Sequence, residues 1–328
     1  MIQSHRYHCL ILFSWGFLAC AQQSEPLRQV GAVALPGVQG RIDHLSVDLN
    51  NQRLFVAALG NNTIEIIDLK TSKRIHSIPG LAEPQGVLYV PPANRLYVAN
   101  AGDGSLRIFD GSSFQLLKSI AFGDDADNLR YDSGDNQVWV GYGSGALGAV
   151  DKEGGKTADI KLDAHPESFQ LEKNGSRIFV NLPRSKKIAV IDRKTKSVVA
   201  SWVTGGPQAN FPMALDEANH RLIVVCRTPA RMVVLDTANG KVIATISTVG
   251  DCDDVFYDQP RKRIYATGGE GAISVVQQQD TDHYKEIAKT VTVTGARTGF
   301  FSPELDRLFV AVRKQGSQSA EVRIYQPK

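Results

Sequence analysis

Arg95-Leu-Tyr-Val-Ala-Asn100, followed after a Gly-containing turn by Leu106-Arg-Ile-Phe-Asp110, decides the fold because the same phrase returns along the whole chain. It stands as Arg53-Leu-Phe-Val-Ala57, Gln137-Val-Trp-Val-Gly141, Arg177-Ile-Phe-Val-Asn181, Arg221-Leu-Ile-Val-Val225, Arg263-Ile-Tyr-Ala-Thr267 and Arg307-Leu-Phe-Val-Ala311. Successive copies start 42, 42, 40, 44, 42 and 44 residues apart. Self-similarity at such a period is the mark of a repeat architecture.

Each copy has the same internal order. A short apolar strand, such as Leu45-Ser-Val47, precedes the phrase, and a polar turn such as Asp48-Leu-Asn-Asn-Gln52 joins the two. A third strand ends in Asp, as in Ile64-Glu-Ile-Ile-Asp68, Ile188-Ala-Val-Ile-Asp192 and Met232-Val-Val-Leu-Asp236, and a fourth resembles Val242-Ile-Ala-Thr-Ile246. Short strands rich in β-branched and aromatic residues, punctuated by turn residues, are a β signal. Four strands per repeat make one propeller blade. The expected fold is therefore all-β, a seven-bladed β-propeller. A blade is apolar on both faces and needs neighbours to cover it. The seventh copy lacks room for a fourth strand before Lys328, so Arg28 to Leu35 is expected to supply it and close the ring.

Composition sets the outer bounds. Charged residues make up 22% of the 328 residues and the net charge is +3, which is ordinary for a soluble globular chain and too small to imply nucleic-acid binding. Residues 1–21 read as a signal peptide: His5, Arg6 and His8, then apolar Cys9 to Leu18, then Ala19-Cys20-Ala21 as a cleavage site. The apolar run is too short to span a bilayer, and no other stretch is long enough. Residues 22–328 are then one exported domain, periplasmic or secreted. In a second reading Cys20 carries a lipid anchor, although Leu18 stands one position later than the usual lipoprotein signal has it. Cys226 and Cys252 remain after cleavage, and an oxidising compartment permits a disulfide between them.

At this point the chain resembles the YVTN-repeat family of exported bacterial propellers, the YncE-like proteins, on Arg95 to Asn100 and Leu106 to Asp110 and on the recurrence of that phrase through all seven copies. The resemblance implies the fold. It extends to propeller lactonases, lyases, surface repeats and scaffolds, and no catalytic motif of these transfers residue by residue.

The chemistry is sought where the copies differ. In a propeller the first strand starts on the face that carries the ligand funnel, and the loop between strands two and three lies on the same face. Ten residues before each phrase stand Asp43, Gln85, Asp127, Glu167, Phe211, Asp253 and Arg297. Nine before stand His44, Gly86, Asn128, Ser168, Pro212, Asp254 and Thr298, and twelve before stand Arg41, Glu83, Asp125, His165, Ala209, Asp251 and Gly295. Residues needed to build a blade recur in every copy, whereas polar residues that differ between copies serve one asymmetric site. The residues eight and six before the phrase are apolar (Leu45 and Val47, Leu129 and Tyr131), so those ten before are expected on the same strand side, above that layer, where a desolvated carboxylate needs a partner.

The expected site is a polar funnel holding Arg41, Asp43, His44, Glu83, Gln85, Asp125, Asp127, Asn128, His165, Glu167, Asn210, Asp253, Asp254 and Arg297. Its ligand is a small molecule, a divalent metal or a protein partner. Asp43, His44, Asp127, Glu167 and Asp253 are the candidate metal ligands. His44 and His165 are the candidate proton carriers in an alternative, a metal-assisted lactonase or lyase. A further alternative is a cell-surface interaction protein. The plainer reading is that these groups tie neighbouring blades together. The excess of acidic groups disfavours nucleic acid at the funnel. Arg184, Arg227, Arg231, Arg313 and Lys314 are expected as an outer basic border that serves solubility.

Overall fold

The computed structural model describes residues 25–328. Residues 1–21, expected from the sequence to be a signal peptide, lie outside the described residues. These residues form seven four-stranded antiparallel sheets. Six are built from consecutive strands, beginning with Leu45–Asp48, Arg53–Ala58, Thr63–Asp68 and Lys73–Ile78 in blade one. The seventh combines Gly299–Ser302, Arg307–Val312 and Ala320–Pro327 with the N-terminal strand Leu27–Leu35. That strand pairs antiparallel with the last one, from Leu27 opposite Pro327 to Leu35 opposite Ala320, so the two ends of the chain close the ring as expected.

The core consists of seven apolar layers, each shared by two adjacent blades. Blade one shows how the recurring phrase supplies two of them. Leu54 and Val56 pack toward blade seven with Phe309 and Val322. Phe55 and Ala57 pack toward blade two with Val87 and Leu96. A strand covered on both faces reads as a continuous apolar run rather than an alternating one. Each such side chain contributes about 1.5–3 kcal/mol when fully buried.

The end of each blade away from the funnel is stapled by repeated polar residues. Arg53 donates to the fully buried Asp48 at 2.6 Å, Arg95 to Asp110 at 3.3 Å, and Arg221 to Asp236 at 3.1 Å. The Asp that ends the third strand also accepts backbone N–H groups of the following turn. Asp68 accepts from Lys70 and Thr71, Asp110 from Ser112 and Ser113, and Asp192 from Lys194 and Thr195. These bonds hold each of the three carboxyls below the usual range.

Cys226 and Cys252 are free and buried. They face different layers, Cys226 between blades four and five and Cys252 between blades five and six, so the disulfide does not form. Burial pushes the Cys226 thiol up to about 11. No helix among the described residues is long and apolar enough to cross a membrane.

Candidate functional site

The funnel is shaped by a β-bulge at the start of the inner strands. The Asp43 N–H donates to the Ala57 carbonyl at 2.7 Å, and the Ala57 N–H donates to the His44 carbonyl at 3.0 Å. Two residues therefore oppose one. Asp127 and Asn128 face Gly141 in the same way, and Glu167 and Ser168 face Asn181. Register shifts fall at the matching place in blades two, five and six. A bulge re-aims side chains locally, and in blades one, three and four two consecutive residues line the mouth.

This corrects the expected strand parity. Leu45, Leu129 and Phe169, eight before the phrase, pack between blades. The channel is lined mainly by the residues nine and seven before, including His44, Ser46, Arg130, Gln170, Phe256 and Phe300, with Leu45, Val87 and Leu129 reaching it from the layers between blades. The residues ten before reach the mouth because the inserted residue reverses the alternation, not because they share the side of Leu45.

The position twelve before is a turn position. Glu83, Asp125, Ala209, Asp251 and Gly295 there all have positive φ, from 38° to 84°. Arg41 and His165 are the exceptions. Arg41 donates to Asp43 at 2.5 Å and to Gln85 at 3.3 Å, and Gln85 donates to Asp125 at 3.2 Å. Nδ1 of His165 lies 2.6 Å from the Gly143 carbonyl.

At the centre stands Asp127, which is 4% exposed. Its Oδ1 is 3.9 Å from His44 Nε2 and its Oδ2 is 3.8 Å from His165 Nε2. Both gaps are too long for hydrogen bonds, and Oδ1 is buried without a partner. His44 is also 3.9 Å from Asp43 and, through Nδ1, 3.6 Å from Asp254. Burial acts against a charged His44, but the carboxylates of Asp254, Asp43 and Asp127 outweigh it and lift the imidazole to about 10. Burial likewise opposes charge on His165, and Asp127, the Gly143 carbonyl and Asp125 lift it to about 9. Both are imidazolium at neutral pH. Burial raises the Glu167 carboxyl to about 7, with the Asp127 charge adding to it. Burial also raises Asp43 to about 6, against His44 and Arg41.

On the other side of the mouth, Asp253 is bracketed by Arg227 and by Arg297, whose Nε lies 2.5 Å from Oδ2. Arg297 also reaches Asp251 at 3.0 Å. Arg227 lies over the Phe211 ring, 3.7 Å from its centroid. Arg227 therefore belongs to the mouth, not to an outer basic border. With three arginines and two imidazolium groups present, the mouth is far less acidic than the count of aligned residues implied.

No protein-family model matches the chain. Two curated relatives do, the uncharacterized protein YncE of Salmonella typhi and that of Salmonella typhimurium. Each is 21% identical over 292 residues, covering 84% of this chain and 70% of the relative. This is a YncE-like β-propeller. Solved structures resemble the YncE-like ring in fold. A chain of Kuenenia stuttgartiensis hydrazine synthase has a TM-score of 0.72 at 17% identity, over 84% of this chain and 94% of its own. A chain of the mitotic checkpoint complex has 0.79 at 13%, over 98% of both. The RRP9 WD40 repeats have 0.79 at 12%, over 92% and 100%.

Within this YncE-like ring, Arg41, Asp43, His44, Gln85, Asp127, Asn128, Glu167 and Asp253 line one cavity, with Ser168 and Phe211. Asp125, His165, Asp254 and Arg297 contact it through the pairs above. Two expected residues stand apart. Glu83 is exposed on its turn. Asn210 is buried and donates to Asn181 and to the Lys187 carbonyl, both at 2.9 Å, which ties blade five to blade four. Arg227, Phe211 and Arg130 were missed as site residues. The signal for Arg130 is that it is the one charged residue among those seven before the phrase (Ser46, Leu88, Arg130, Gln170, Ala214, Phe256, Phe300). Among the described residues no three His, Cys, Asp or Glu side chains converge as metal ligands. Of the metal candidates, Asp43 is engaged by Arg41 and Asp253 by two arginines.

Proposed function

We propose that the chain is an exported binding protein, periplasmic or secreted, whose channel mouth takes a hydroxyl group of a small neutral polyol or sugar. One observation carries the reading: a buried, unpaired Asp127 oxygen facing a slot of about 20 Å³. Room of that size holds one oxygen-sized group. The slot is lined by Asp127 and by His44, 3.9 Å from its unpaired oxygen, and the His165 imidazolium lies 3.8 Å from the other Asp127 oxygen. The group that fits must donate to Asp127 and accept from His44 or His165, and a hydroxyl does both. An ammonium would meet two imidazolium charges and Arg41. A carboxylate or phosphate would meet Asp127 and Asp43. Phe211 adds an apolar wall at the rim for the C–H face of such a ligand.

The test is calorimetric titration of the purified protein with a panel of mono- and disaccharides and polyols, alongside Asp127→Asn. The expected result is saturable binding by a member of the panel that weakens by about tenfold or more in the variant, as loss of a charge-assisted hydrogen bond requires. Absence of binding across the panel, or equal binding by the variant, overturns the reading.

A further inference from the structure

Beneath the mouth the channel widens into a second chamber of about 220 Å³. His44 is its roof, since it lines both spaces. The walls are mostly apolar, with Phe256, Phe300, Leu88 and Leu129 from four blades. An apolar cavity of about 150 Å³ is large enough for a benzene ring, so this chamber has room for a ring and one small polar substituent.

A single guanidinium faces this apolar space. Arg130 donates to the Leu129 carbonyl at 2.7 Å, and only at 3.4 Å to Asn128 Oδ1 and to Ser168 Oγ. Among the described residues no carboxylate forms an ion pair with it, unlike Arg41, Arg227 and Arg297 at the mouth. The Phe169 ring lies 5.4 Å from its Cζ and holds the planar group in place. A guanidinium has five donors arranged to meet a carboxylate edge-on, and the contacts above leave several unused. The chamber's own carboxylate, Asp254, is engaged elsewhere: it accepts from the Gly299 N–H at 2.9 Å and faces His44.

We propose that this chamber is a second binding site, for a small monocarboxylate with an aromatic or short aliphatic body, its carboxylate on Arg130 and its body against Phe256, Phe300 and Leu88. The site is independent of the hydroxyl slot, which lies on the other side of His44. Access is from the opposite face of the ring. Gln170 lines both the chamber and a cavity of about 520 Å³ on that face, beside Tyr257, Leu215 and Glu217. Its side chain is held by a 2.9 Å bond to the Met213 carbonyl.

The experiment is titration of the purified protein with benzoate, benzyl alcohol and acetate, followed by calorimetry and by saturation-transfer NMR. Benzoate is expected to bind about tenfold or more tightly than either comparator, since one lacks the charge and the other the ring. Arg130→Gln is expected to reduce benzoate affinity to that of benzyl alcohol. Leu88→Trp, which fills the chamber and leaves Arg130 in place, is expected to abolish binding of both aromatic probes. Benzoate binding no better than benzyl alcohol, unchanged by Arg130→Gln, or absent altogether overturns the proposal. If Arg130→Gln does not fold, the comparison of probes on the parent and on Leu88→Trp decides. The sugar and polyol panel reports on the mouth and the benzoate series on the chamber, so failure of the hydroxyl reading and failure of this one are separable.

Discussion

The two ends of each blade use the same kinds of residue for opposite purposes. At the end away from the funnel, Arg and Asp recur from blade to blade, and their bonds are short: Arg53 to Asp48 at 2.6 Å, and the Lys70 and Thr71 N–H groups to Asp68 at 2.8 and 2.9 Å. At the mouth the residues vary between blades, and the central carboxylate, Asp127, makes no hydrogen bond through its buried Oδ1. Repetition marks a staple shared by several blades. Irregularity, together with an unsatisfied buried acceptor, is what the proposed binding site rests on.

The staple end and the closure of the ring should show the largest effects on stability. Removing residues 25–35 takes away the outer strand of blade seven with fully or nearly fully buried Leu27, Val33 and Leu35, at a cost on the order of 5 kcal/mol or more. Loss of a single cooperative urea transition is the expected outcome. Asp48→Ala leaves Arg53 without its buried partner and should cost about 3 kcal/mol in urea denaturation, with ligand binding at the mouth unchanged.

A smaller effect separates the ends by pH. At the mouth the folded state holds protons more tightly than the unfolded chain: Asp43 at about 6, Glu167 at about 7, His165 at about 9 and His44 at about 10. Where the folded state binds more protons, stability falls as pH rises. The carboxyls should act between about pH 4 and 7 and the imidazoles between about pH 6.5 and 10. Asp48, whose pKa is lowered because its bonds to Asn51 and Arg53 outweigh its burial, acts in the opposite sense, and its contribution is lost as pH falls below about 4. Urea midpoints followed against pH should therefore decline from mildly acidic toward alkaline conditions. Glu167→Gln should flatten the decline between about pH 4.5 and 7 and leave the acid limb unchanged.

Much of this contrast was legible in the sequence. The even spacing of Arg53, Arg95, Gln137, Arg177, Arg221, Arg263 and Arg307 fixes blade number, strand order and the need for an N-terminal closing strand. Six of the seven residues ten before those anchors do line the mouth. The aim of these side chains was hidden because a bulge depends on the hydrogen-bond register between strands, and one extra residue reverses an alternation read from spacing alone. Arg227 was hidden because its place over Phe211 depends on how far the first two strands of blade five extend toward the mouth, Gln208–Asp216 and Arg221–Thr228. His165 and Gly143 meet across a turn that the sequence marks only as glycine-rich. The mouth's charge balance follows from those placements rather than from a count of acidic residues.

The most direct test of the contrast needs no knowledge of the ligand. It is urea denaturation at pH 8 of the parent protein and of a Glu167→Gln variant. The substitution removes a carboxylate whose ionisation burial and the Asp127 charge oppose, so the variant is expected to be as stable as the parent or more so. A loss of about 2 kcal/mol or more, of the kind expected for Asp48→Ala, would show that the mouth is another staple and contradict the reading of it as a binding site.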